Sequence, residues 1–130
     1  MIKSIDMFGG LHHGSCKIII EVEKDTVWGK YQYFKRHSDS NEFHFDMDES
    51  QMLLSAIEKA DFDKWSDLYS NSDPDVFDGC FWCISIDYTD RASRRINMDN
   101  FYPKAWYSFI DCIDSLMKIG MTSDEKYLFV

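Results

Sequence analysis

Apolar and polar residues alternate strictly over Trp82, Ile84, Ile86 and Tyr88, with Ser85 and Asp87 between them. That period of two predicts an extended strand with one buried face. Twenty residues on, the period changes. Trp106, Phe109, Ile110, Ile113, Leu116 and Met117 recur at steps of three and four, the stripe of a helix that must cover an apolar surface, and the strand face is its natural partner. Pro103 suits the first helical turn, Lys118 complements the negative end of the dipole, and Gly120 offers a left-handed stop. The predicted helix therefore runs over 103–118.

The same reading extends to the rest of the chain. Residues 2–8 predict a short first strand, followed by a loop at Gly9-Gly10-Leu11-His12-His13-Gly14-Ser15. Ile18, Ile20 and Val22 alternate with Lys17, Ile19, Glu21 and Glu23. A turn at Lys24-Asp25 leads into an aromatic run from Val27 to Lys35, and after turn residues 37–41 Phe43, Phe45 and Met47 alternate again. Three meander strands result. Asp48, with Gln51 three residues later, predicts a helix start over the stripe Leu53, Leu54, Ile57 and Ala60, and Asp61 a shorter helical piece from Phe62 to Tyr69. Strands at about 80–88 and 92–98 then form a hairpin. The expected fold is α+β in a single domain, 1–130. It is a mainly antiparallel curved sheet of about five to six strands, in the order β-meander, helix, β-hairpin, helix, with the helices on one side.

Composition narrows the class. With 45% hydrophobic and 16% aromatic residues the chain can bury enough surface to offset the entropy of ordering it. The start, Met1 to Asp6, lacks an apolar targeting core, and the longest aliphatic run, Ile18-Ile19-Ile20, is too short to span a bilayer, so a cytoplasmic location with no membrane association is expected. Cys16, Cys80, Cys83 and Cys112 are too sparse for a disulfide framework. The net charge of −9 is concentrated: residues 39–78 carry twelve acids against two bases, while the remainder is close to neutral. Such a segment repels phosphate backbones, which excludes nucleic acid as a partner and favours a basic protein. A solvated face that only confers solubility would have the same composition.

Candidate chemistry is thin. Cys80 and Cys83 form a C-x-x-C, but an odd separation in a strand sends the thiols to opposite faces. His12, His13 and Cys16 in the glycine-rich loop, with His37 or His44, are the better metal cluster, yet no second pair stands at zinc spacing. The run Asp73 to Gly79 fails as a calcium loop, since Phe77 and Asp78 stand where an oxygen ligand and a glycine are required. His44 with Asp46 could be assembled into an acid–base pair, as pairs can in most domains of this size. No catalytic residue, cofactor or metal is assigned on these grounds.

Trp65, the polar stretch Ser70 to Asp75, Phe77-Asp78-Gly79, the strand Trp82-Ile84-Ile86-Tyr88 and Tyr102-Pro103 opening the last helix together resemble a group of small uncharacterised bacterial α+β proteins. The resemblance covers most of the chain and implies a fold, with no activity attached. The turn Thr89-Asp90-Arg91 and the segment Asn97 to Asn100 depart from that pattern in lacking its glycines. By type, a small acidic chain with an aromatic-studded acidic segment is similar to the immunity proteins of polymorphic and contact-dependent growth inhibition toxin systems. That likeness implies a non-enzymatic protein that neutralises a cognate, basic, nuclease-type toxin domain by stoichiometric binding. Its expected partner-binding residues are Asp61, Asp63, Trp65, Asp67, Tyr69, Asp73, Asp75 and Asp78. Two alternatives stay open: a small-ligand-binding, metal-binding or enzymatic domain using Gly9 to Cys16 and nearby histidines, and an accessory subunit of a larger assembly.

Overall fold

A computed structural model describes residues 1–11, 14–24, 26–33, 39–70, 80–99, 101–121 and Lys126; at positions 10, 11, 14, 33, 39, 40, 70, 80 and 81 the backbone alone is described. Among the described residues seven strands and two α-helices follow in chain order: β1 (Ile2–Leu11), β2 (Gly14–Glu23), β3 (Thr26–Tyr33), β4 (Asp39–His44), α1 (Met47–Ala60), a 3-10 turn (Phe62–Lys64), β5 (Leu68–Ser70), β6 (Cys80–Tyr88), β7 (Arg94–Asp99) and α2 (Lys104–Met117). They form one open sheet in the order β4-β3-β2-β1-β6-β7-β5. Every pairing is antiparallel except β5 with β7.

The α+β class holds, and the strand count exceeds five to six for an identifiable reason. Residues 62–69, expected as a helical piece, make only one 3-10 turn before extending as the three-residue β5, parallel to β7. Trp65 ends the turn in an extended conformation, and Asn97 N–H donates to Asp67 O at 2.8 Å, which captures the segment for the sheet.

The register aligns the alternating apolar residues into rows. Tyr31, Ile18, Met7, Ile84 and Ile96 face one another across five strands, and Cys16, Gly9, Trp82 and Met98 form a second row. Both helices pack on this face. Trp106 meets Trp82 with ring centroids 5.3 Å apart, and Ser50 on α1 accepts from Val27 N–H at 3.2 Å. Leu53, Ile57, Ala60, Trp106, Phe109, Ile110, Ile113 and Met117 are all buried, while Leu54 and Leu116 sit half-buried at the margins.

Three local expectations change. Helix α1 is capped two residues earlier than Asp48: Asp46 is its cap, accepting from Glu49 N–H at 2.8 Å while the Glu49 carboxylate accepts from Asp46 N–H at 3.1 Å. This reciprocal capping box leaves Met47 exposed and commits Asp46 to the helix rather than to His44, whose ring lies against Trp28 at 6.3 Å. Helix α2 ends with Lys118 in the left-handed conformation, ahead of Gly120, because the Asp114 carboxylate accepts from the amides of Gly120 and Met121 at 2.9 and 3.1 Å and fixes the exit of the chain. The glycine-rich loop is largely strand, since pairing runs on to Leu11 with Gly14. Gly9 is required by packing: a Cβ there would lie 2.7 Å from the Trp82 ring.

Candidate functional site

Helix α1 ends at Asp61, whose left-handed backbone (φ 51, ψ 59) turns the chain sharply back into the 3-10 turn. Two aromatic side chains then anchor the turn from inside. Phe62 packs edge-on against Phe109 of α2 at 5.1 Å and against Trp65 at 4.7 Å, while the Trp65 indole donates to Ala60 O at 2.7 Å. Trp65 is 6% exposed, so it is a core anchor and does not present its ring to a partner. Tyr69 stands half-buried, its ring against Trp65 at 6.5 Å and stacked on Phe101 at 6.1 Å, its hydroxyl accepting from Ser66 N–H at 2.9 Å.

Arg94 holds this corner from the sheet side. Its position two residues before the buried Ile96 places it on the covered face of β7, and its guanidinium donates to the carbonyls of Phe62 and Trp65 and to the Asp67 carboxylate, the last at 2.8 Å. One planar fork thus fixes both ends of the 3-10 turn and the approach to β5. The sequence carried the signal, since Arg94, Ile96 and Met98 share one strand face.

The acids of the corner are less free than the composition suggests. Asp63 pairs with Arg91 at 2.9 Å, Asp67 with Arg94 at 2.8 Å, and Asp61 with the exposed Lys64 at 3.3 Å. The structure brings Asp61, Asp63, Trp65, Asp67 and Tyr69 onto one corner; Asp73, Asp75 and Asp78 lie outside the described residues. What the sequence reading missed are two exposed apolar side chains at the same sheet edge. Leu68 is 65% exposed on the open face of β5, and Phe101, stacked on Tyr69, is 53% exposed. Isolated exposed apolar residues are ordinary; here Leu68 on the open face and Phe101 with Tyr69 on the covered face flank the β5 edge from both sides.

The alternative site at Gly9 to Cys16 changes character. Gly9 lies under Trp82, Cys16 faces the core at 3% exposure, and His12, His13 and His37 fall outside the described residues. Among the described residues no group of three or more His, Cys, Asp or Glu is placed to hold a metal ion. Cys83 faces the open side of the sheet with Arg95 Nε 3.1 Å from its sulfur, and the Cys80 side chain is not described. An apolar groove of about 650 Å³ runs between α1 and α2, floored by Ala56, Ala105 and Phe109. Cys112 borders it, and burial pushes that thiol's pKa up, away from reactivity. No helix among the described residues is long and apolar enough to cross a membrane. No family model and no curated protein matches the chain.

Proposed function

We propose that the chain is a non-enzymatic binding protein that docks through the corner formed by the end of α1, the 3-10 turn, β5 and Phe101, and that it acts as an immunity protein against a basic toxin domain. The observation that carries this reading is the pairing of exposed apolar anchors, Leu68 and Phe101 on either side of the β5 edge, with a rigid support, the Arg94 fork, beside the acidic segment 39–78. Rigid anchors lose little entropy on association, and a surrounding negative field raises the rate of encounter with a basic surface. The roles divide accordingly. Leu68, Phe101 and Tyr69 resist dissociation, the acidic segment steers, and Trp65 supports from beneath.

The test is co-purification with the C-terminal domain encoded by the reading frame immediately upstream, at low and at moderate salt. A one-to-one complex that abolishes the domain's toxicity is the expected result. Absence of a complex at both salt concentrations would overturn the proposal.

A further inference from the structure

β5 is the last strand of the sheet, with β7 on its inner side and no strand beyond it among the described residues. Asn97 N–H donates to Asp67 O at 2.8 Å, so that carbonyl points inward at β7. A trans peptide aims its N–H opposite to its carbonyl, which sends the Leu68 N–H outward, away from the sheet. The parallel register sets the Tyr69 N–H towards β7 as well, and the same rule turns the Leu68 carbonyl outward. Leu68 thus offers a donor and an acceptor side by side on an open edge, the set that one residue of an added strand uses in full.

The side chains around this edge say what kind of segment fits. Exposed edges are commonly guarded by lysine or proline, and β5 carries neither. Instead Leu68 stands exposed on the open face, and Phe101, stacked on Tyr69, stands exposed on the covered face. An extended chain sends successive side chains to opposite faces, so a residue paired with Leu68 lies against it while its two neighbours reach Phe101 and Tyr69. A docked helix has its backbone bonds closed and presents one stripe; it would leave the Leu68 donor and acceptor unpaired and one apolar flank bare. Beside the edge, the Asp67 carboxylate is 75% exposed although Arg94 holds one of its oxygens. We infer that the partner adds an extended segment to the outer edge of β5, pairing its backbone with Leu68, with three consecutive apolar side chains straddling the edge and a basic residue next to Asp67. The inference rests on the docking of a basic protein at this corner and specifies the form in which that protein is recognised. The three-residue length of β5 limits the pairing to a short segment.

Amide hydrogen exchange and isotope-filtered NMR test the pairing, on the free chain and on its complex with the proposed toxin partner. In the free chain the Leu68 amide is expected to exchange near the rate of an unprotected peptide, while the Asn97 amide, bonded to Asp67 O, is slow. In the complex the Leu68 amide should slow at least roughly a hundredfold, with backbone-to-backbone cross-peaks from Leu68 to consecutive residues of one partner segment. A Leu68 amide already slow in the free chain would show the edge to be closed and overturn the inference. A complex in which Leu68 exchanges as in the free chain, or shows cross-peaks to partner side chains only, would overturn the strand pairing and leave the docking corner standing. No complex at low or moderate salt would overturn the docking and the pairing together.

Discussion

Replacing Arg94 by methionine should loosen the whole candidate corner while leaving the sheet intact. Methionine keeps most of the aliphatic stem, which matters because the Arg94 side chain is only 22% exposed. What disappears are the donors to the Phe62 and Trp65 carbonyls and to Asp67. A hydrogen bond from a charged donor contributes about 1.5–3 kcal/mol, and two go to carbonyls of buried residues, whereas the Asp67 pair, with a carboxylate 75% exposed, contributes roughly 0–1 kcal/mol. Allowing for rearrangement, the loss is about 3 kcal/mol, or on the order of 10 °C in melting temperature for a chain of this size. Asp67→Asn, which removes only the exposed pair, should cost less than about 1 kcal/mol. Arg94→Lys should recover under half of the loss, since one ammonium cannot span both carbonyls. Urea unfolding gives the free energies, and hydrogen exchange at the Asn97 amide, which donates to Asp67 O, reads the corner directly. If Arg94→Met proved no more costly than Asp67→Asn, the fork would not hold the turn and the rigidity argued for the anchors would fail.

Three further substitutions test the packing and electrostatics of the fold. Gly9→Ala drives a Cβ into the Trp82 ring, itself held by Trp106, and should cost about 1–3 kcal/mol. Gly29→Ala meets the flexible methyl end of the buried Met117 and, at 3.2 Å, the Phe45 ring, and the reduced freedom of the unfolded chain returns about 0.4–1 kcal/mol, so it should cost less than Gly9→Ala; equal costs at the two glycines would contradict the packing described. Asp87 has its pKa lowered, first by the Ser93 hydroxyl and then by Ser4. A depressed carboxylate stabilises the fold fully above its unfolded value of 3.8 and loses that contribution as pH falls through the lowered one, so the stability gap between wild type and Asp87→Asn should close on acidification. A gap independent of pH in unfolding titrations would show that these hydroxyls do not favour the ionised form.

The two ends of the fold differed in how far they could be read from the chain. Periodicity identified the hairpin of β6 and β7, the buried stripes of α1 and α2 and the meander, because burial on one face forces the pattern. It failed at 62–69, where Phe62, Trp65 and Tyr69 have helical spacing yet are held by long-range partners: Phe109, Arg94 and β7. It also misplaced the cap of α1, since Asp46 and Asp48 are both plausible caps and the choice lies with Glu49, which reaches back to Asp46. At the site, charge counting found the segment and could not see that Asp63 and Asp67 are answered by Arg91 and Arg94 from a hairpin nearly thirty residues away. The exposed anchors Leu68 and Phe101 were invisible for the opposite reason, since an apolar residue carries no mark of exposure in sequence.

Dissociation from the proposed toxin partner is the most direct test of the proposed docking corner, measured for wild type, Phe101→Ala and Leu68→Ser, with Lys30→Glu on the open sheet face as a distant control. Loss of an anchor of about 1.4–2.8 kcal/mol should accelerate dissociation ten- to a hundredfold in the first two variants and leave the control unchanged. Wild-type dissociation rates in both anchor variants, or an equal acceleration in Lys30→Glu, would place the interface elsewhere.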